Sequence, residues 1–405
     1  MSIFFNSILA CLAVLFSLIP LLLTMRLKYR LPTMLQCAPS NLPWPLASVI
    51  LPCKGLDPGF RENILSLLQQ DYPKLELLFV VATDDDPAFI PLQNLLEGNA
   101  AGRVRARLLV AGIGKNRAQK LTNQLAALRQ VSPHTEVLVF VDSDCRPDPG
   151  FMRRLIAPLA KPGVGATTGY RWYHPPAATL GSMLRSTWNA GALPFLADPK
   201  TTHAWGGAMA IRREVFSQAN LEEVWNKAVS DDLTLTMGVR KLGLTLEFVP
   251  QCIAVSYESS TLRETLEFTN RQSLISRIYF PPLWWATAIG HACANLLMAY
   301  GCASVLIWSA TGAAAYLIGS TCLLLLPLQL VNAVWLFSTV KDLLPVQIQT
   351  DVQFLRWHYV MTAPLASVMT LVNTVHSAAT RQITWRGITY ELRSPSETIV
   401  VSRID

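Results

Sequence analysis

The sequence predicts an α/β domain built on a mostly parallel sheet, set between apolar segments long enough to cross a membrane. Three observations predict it. Apolar runs of strand length alternate with helically spaced stretches from Ala47 onward, the pattern that places helices on the faces of a parallel sheet. Charge is unevenly spread: 51% of the 405 residues are hydrophobic and 15% charged, yet no Asp, Glu, Lys or Arg falls within 1–25, 278–340 or 357–380. Acidic clusters follow directly on two of the apolar runs, at the strand ends where such sheets bind ligands.

Taken in order, residues 1–25 form an N-terminal transmembrane anchor. They lack a basic leader, and "LLLTMRLKYRL" offers no small-residue cleavage site, so an uncleaved anchor is expected rather than a removed signal. Arg26, Lys28 and Arg30 follow at once and mark the cytosolic side. Residues 26–46 are a basic, Pro-containing linker, with "CAPSNLPWPL" at 37–46. The soluble domain spans 47–277 and faces the cytosol. In it "ASVILPCKG" reads as a first strand, "ENILSLLQQ" as a helix, and "LELLFVVAT" and "RVRARLLVA" as the second and third strands. "QKLTNQLAALRQV" follows as a helix and "EVLVFVDSD" as a fourth strand. Residues 175–198 are apolar but broken by Pro, Gly and Arg185, which suits a segment lying along a membrane surface. Residues 278–380 form a C-terminal membrane region of two or three helices, with a turn near Ser309–Gly312. Residues 357–380 either cross or lie at the interface. Residues 381–405 are a tail, expected on the cytosolic side because Arg381, Arg386 and Arg393 lie in it. The eight cysteines are scattered with no CxxC pair, as in a reduced compartment. A net charge of +7 suits contact with anionic lipid, and no nucleic-acid partner is expected.

The chemistry is carried by acids. In "EVLVFVDSDCRPDP" five apolar residues, Val137–Val141, run into Asp142-Ser143-Asp144. Two carboxylates about 4 Å apart repel by about 4 kcal/mol at an effective dielectric near 20. A divalent cation, Mg²⁺ or Mn²⁺, together with substrate phosphates would offset that; a solvated turn is the plainer alternative. A second cluster, Asp84-Asp85-Asp86, follows the second strand. A third, Asp231-Asp232, precedes the helical "LTLTMGVRKLG", where one Asp suffices as an N-cap and the other is left to explain. Trp205-Gly206-Gly207 offers either backbone room for a bulky ligand or a tight turn. No GxxxxGK[ST] loop, zinc-spaced His/Cys cluster or G-x-S-x-G elbow is present, which argues against P-loop, zinc and hydrolase chemistry.

The order "KGLDP", "DYPKLELLFV", "DDPA", "QKLTN", "VFVDSDCRPD", "WGGAMAIRREVF" and "SDDLTL" resembles the family 2 type inverting glycosyltransferases, most of all their ceramide glucosyltransferase-like branch. The resemblance covers about 45–285 and implies a GT-A fold. It further implies that Lys54, Asp86, Lys120, Asn123 and Asp142 bind a UDP-sugar. Asp142 and Asp144 would hold a metal, and Trp205, Gly206 and Gly207 would shape the sugar and acceptor pocket. Asp232 would be the general base, with Asp231 beside it. The implied partners are a nucleotide-sugar donor, a lipid acceptor such as ceramide, and the bilayer. One departure is visible: the (Q/R)xxRW motif of many members is incomplete in "EFTNRQSLISRIYFPPLWW", where Arg271, Gln272 and Arg277 stand as diphosphate or acceptor contacts or as a basic stretch facing headgroups. A processive polysaccharide synthase is the alternative enzyme, and it calls for more spans and the complete motif. A transporter would show charged residues within its spans, and a non-catalytic scaffold would have lost some of the acids.

Overall fold

The structure is a computed structural model that describes residues 2–36, 44–98, 104–307 and 319–403. Residues 37–43 of the linker and the turn near Ser309–Gly312 lie outside these residues. The chain divides into two compact units: Leu31–His174, Leu196–Glu258 and Arg381–Asp405 form one, and Met1–Arg30, Pro175–Phe195 and Ser259–Thr380 the other.

The first unit is built on a seven-stranded sheet. Its strands are β1 (Ala47–Pro52), β2 (Leu75–Val81), β3 (Arg105–Val110), β4 (Val137–Val141), β5 (Val164–Tyr173), β6 (Ala208–Arg212) and β7 (Thr245–Ser256), in the order β3-β2-β1-β4-β6-β5-β7. β1, β2, β3 and β4 are mutually parallel, β6 runs against both its neighbours, and β5 pairs parallel with β7. This is the mostly parallel α/β sheet expected of a GT-A domain. Every residue of β2 and β4 is buried, as strands covered by helices on both faces must be, whereas the edge strand β3 is exposed at both ends. The four strands expected from sequence are all present. β5, β6 and β7 complete the sheet.

The covering helices that matter for the site are α2 (Phe60–Leu68), α3 (Phe89–Gly98), α4 (Gln119–Leu128) and α9 (Asp231–Lys241); α5 (Phe151–Ile156), α7 (Arg213–Gln218) and α8 (Leu221–Trp225) are shorter. Val49, Leu51, Leu77, Phe79, Val139 and Val141 fill the core between the sheet and its helices on one face. The tail forms a second, three-stranded antiparallel sheet: β8 (Gln382–Trp385), β9 (Ile388–Ser394) and β10 (Glu397–Arg403).

The second unit is helical. It contains most of α1 (Ser2–Met34), with α6 (Leu180–Ala190), α10 (Leu262–Tyr279), α11 (Pro281–Leu306), α12 (Leu325–Lys341) and α13 (Val346–Ala379). Among the described residues two helices are long and apolar enough to cross a membrane, Pro281–Leu306 and Gly319–Lys341. α13 is stitched to its neighbours by polar pairs: Thr187 with Thr362 at 2.7 Å, Thr269 with Asn373 at 3.1 Å, and Trp284 Nε1 donating to Ser377 Oγ at 3.0 Å. The interrupted apolar segment 175–198 supplies α6, whose start is capped by Thr179.

Candidate active site

The strand order reverses at β1, with β2 and β3 on one side and β4 on the other, so the carboxyl ends of β1 and β4 border one crevice. Lys54 leaves β1 there, Asp86 follows β2, and Asp142 and Asp144 follow β4. Because β6 runs backwards, its first residue, Ala208, pairs with the last residue of β4, Val141. That reversal brings Trp205-Gly206-Gly207 to the same end, and the Asp142 N–H donates to the Gly207 carbonyl at 3.3 Å.

Two cations hold the acids. Lys120, on the first turn of α4, places its ammonium 2.8 Å from Asp142 Oδ1 and 2.9 Å from Asp231 Oδ2, and donates to the Gly206 carbonyl at 3.2 Å. Arg171, near the end of β5, uses one Nη2 for both strand-end acids, at 3.2 Å from Asp142 Oδ2 and 2.7 Å from Asp144 Oδ1. Its guanidinium also lies 5.1 Å from the centre of the Trp205 ring. Burial alone would raise the Asp142 carboxyl, but Lys120 and Arg171 hold it below the usual range. Asp144 goes the other way: burial pushes it up to about 7, with Arg171 opposing and Asp142 adding to the rise.

The Asp231-Asp232 pair opens α9, capped by Ser230, whose hydroxyl accepts from the Leu233 N–H. The two acids face different partners. Asp231 is buried and accepts from Lys120 and from Gln124 Nε2 at 2.8 Å. Asp232 is half-buried; its Oδ1 accepts from Ser230 Oγ and the Leu233 N–H, and its Oδ2 accepts from the Gly206 N–H at 3.2 Å. Burial, opposed by Lys120 and reinforced by Asp232, raises the Asp231 carboxyl. The glycines answer to neighbours within the protein. A Cβ on Gly206 would meet Asp231 Oδ1 and Lys120 Nζ at 2.8 Å, and one on Gly207 would meet the Trp205 ring at 2.2 Å.

Lys120, Asp142, Asp144, Trp205, Gly206, Gly207, Asp231 and Asp232 thus converge. Asp86 and Lys54 stand at the adjoining end of β1. Asp86 accepts from the Gly55 N–H at 2.8 Å and the Ala88 N–H at 2.9 Å, tying the β1 loop to the start of α3. Asn123 is buried behind them, its amide donating to the Val80 carbonyl and accepting from Gln119. Arg271, Gln272 and Arg277 lie on α10 in the helical unit, where Arg277 donates to the Ser377 carbonyl. Sequence reasoning missed Arg171, which sits in "TTGYRWY" with no local pattern to announce it.

The donor set fits a cation. A single guanidinium nitrogen bonds both strand-end carboxylates, so one positive centre fits between Asp142 and Asp144. Hard oxygen donors of this kind suit Mg²⁺ or Mn²⁺. Among the described residues no third acid, His or Cys joins them in a metal-holding group, so further ligands would come from phosphate or water.

The sequence model of glycosyl transferase family 21 matches residues 8–398. A mannosyltransferase from Pyrobaculum calidifontis, solved with GDP-Man and Mn²⁺, is similar in fold at 18% identity and a TM-score of 0.49, over 91% of this chain and 99% of that one. Glucosyl-3-phosphoglycerate synthase from Mycobacterium tuberculosis, solved with Mn²⁺ and UDP-glucose, matches at 18% identity and a TM-score of 0.37, over 57% of this chain and 78% of that one.

Proposed function

The chain belongs to glycosyl transferase family 21, and from that membership we propose that it is a membrane-bound inverting glycosyltransferase that moves a sugar, glucose foremost, from a UDP-sugar to a lipid hydroxyl such as that of ceramide. The observation that carries the reading is the paired strand-end carboxylates, Asp142 and Asp144, facing a third carboxylate, Asp232, across Gly206.

In this reading Asp232 is the general base. Its Oδ2 takes the proton of the acceptor hydroxyl as that oxygen attacks the anomeric carbon, the bond from that carbon to the diphosphate breaks, and UDP leaves with the electron pair. Attack opposite the leaving group inverts the centre. Asp231 is the weaker candidate for base, because Lys120 and Gln124 already engage it. A cation held by Asp142 and Asp144 would supply positive charge to the departing diphosphate. Lys120 fixes Asp142 and Asp231 relative to the Gly206 turn, while Asp86 fixes the loop that carries Lys54. Asn123 supports that wall, its amide engaged with β2. Trp205 and the two glycines border the sugar and acceptor side. Arg271, Gln272 and Arg277 are assigned to the membrane-side contacts with diphosphate or acceptor, on the motif resemblance alone. The two candidate spans support a bilayer setting, with the sheet-bearing unit in the cytosol where UDP-sugars are available.

The test is release of UDP by the purified chain from UDP-glucose and other UDP-sugars in mixed lipid micelles. Release that EDTA abolishes and Mn²⁺ restores is expected. Full turnover in excess EDTA contradicts the metal assignment, and no release from any UDP-sugar overturns the reading.

A further inference from the structure

The three-stranded sheet of the tail packs within the sheet-bearing unit on the side of the β1 and α4 ends. The Tyr390 hydroxyl accepts from the Gln119 N–H, the first of α4, at 3.1 Å, and Arg403 donates to the Gly114 carbonyl. Trp385 pairs with Ile388, so β8 and β9 turn through only two residues, Arg386 and Gly387, with φ of 48° and 78°. A turn with both central residues left-handed favours Asn-Gly or Gly-Gly, and an arginine at its first position is strained. The strained residue is aimed at the site. Arg386 Nη2 lies 2.6 Å from Asp57 Oδ1, and the other oxygen of Asp57 accepts from Ser143, the residue between Asp142 and Asp144, at 2.6 Å. Arg386 Nη1 donates to the Lys54 carbonyl, and Lys54 Nζ donates to the Arg386 carbonyl at 2.5 Å.

Positive charge gathers there. Burial, with Arg403 and Arg386 adding to it and Asp86 opposing, lowers the Lys54 ammonium. Burial opposes the charged form of Arg386, yet the carboxylates of Asp57, then Asp144 and Asp142, hold it charged. Two N–H donors of Arg386 are engaged, while 40% of its side chain stays open. A guanidinium has five donors, so several remain for a ligand, and its fork matches phosphate oxygens.

We propose that Arg386, presented by the β8–β9 turn beside Lys54, binds the diphosphate of the donor, so that the tail sheet completes the donor site. The inference rests on the glycosyltransferase reading and adds to it a residue and an element.

Calorimetric titration of the full chain in detergent with UDP and with uridine tests it. Arg386→Asn puts a favoured residue into the turn, which offsets part of the cost of losing the Asp57 ion pair, so the variant should stay folded with a lowered thermal midpoint. Affinity for UDP should fall about tenfold or more, the worth of a hydrogen bond to a charged group, while affinity for uridine stays unchanged. Arg386→Lys should recover some of the loss. Asp57→Asn, which leaves the guanidinium in place, should keep UDP affinity. Wild-type affinity for UDP in Arg386→Asn overturns the inference alone. So does an equal loss for UDP and uridine, or an equal loss in Asp57→Asn, since either marks a tether and not a ligand contact. Wild-type protein that binds neither UDP nor any other nucleoside diphosphate sinks the glycosyltransferase reading and the inference with it.

Discussion

Lys120 joins two acidic clusters that lie about ninety residues apart in the chain: one ammonium, with 11% of its side chain exposed, bridges Asp142 and Asp231. Replacing it with Met leaves the buried Asp231 without its cation, which costs about 3 kcal/mol. Chemical denaturation of Lys120→Met should show that loss of stability; a wild-type midpoint would mean that Asp231 does not depend on the pair. Asp232→Asn should behave differently. It keeps the Ser230 and Leu233 contacts at one oxygen and gives up only the acceptor for the Gly206 N–H, so UDP binding should persist while transfer falls by about 10²–10⁴-fold, the usual worth of a general base. A near-wild-type rate moves the base to another residue. Two of the three acidic clusters stood out in the sequence because they follow directly on apolar runs, and Asp231-Asp232 because one Asp suffices as an N-cap. Arg171 and Arg386 did not. A single arginine in a strand or turn carries no periodic or spacing signal, and each acquires meaning only through pairing with acids more than 25 residues away.

The element that assembles the site is the reversed strand β6. Five residues long, it carries the Trp205-Gly206-Gly207 turn back to the end of β4. Its neighbour β5 passes β7 so closely at Gly169 that a Cβ would lie 2.2 Å from the Cys252 carbonyl oxygen, beside a shift of register between Thr168 and Tyr170. Gly169→Ala must therefore push β5 and β7 apart, because backbone cannot rotate away. A loss of about 1–3 kcal/mol is expected, read as a lower thermal midpoint, and an unchanged midpoint would show that the bulge absorbs the methyl. Strands β1, β2 and β4 were legible because buried parallel strands read as unbroken apolar runs, β3 by its alternation, and the Gln119 helix by its helical apolar spacing. β6 hides behind two glycines, and β7 contains Pro250, which demotes an apolar run as a strand signal. The tail hairpin turns on Arg-Gly instead of Asn-Gly, so its three strands read as a charged tail.

At the scale of the whole chain the tail bears on topology. Residues 381–403 belong to the sheet-bearing unit, with Arg403 bonded to the Gly114 carbonyl and Tyr390 to α4, so tail and site share one side of the membrane. An even number of crossings between 278 and 380 is then expected, and the two candidate spans among the described residues would supply it. On that expectation α13 would not cross, which suits Asp351 and Arg356 in its first half. A cysteine placed at Ser394 should react with an impermeant thiol reagent only after sealed cells are opened; labelling from outside contradicts the cytosolic orientation. The long apolar helices of 281–306 and 319–341 were legible from the absence of charge alone, whereas the membership of the tail depends on contacts that no local pattern encodes. The central claim, single transfer of a sugar to a membrane lipid, is tested most directly with the purified chain in lipid vesicles given radiolabelled UDP-glucose, with Asp232→Asn as control. Label should pass into the chloroform phase as one monoglycosylated species with the wild-type chain and not with the variant. Label gathering instead in a growing water-soluble polymer, or passing equally with the variant, would contradict the account.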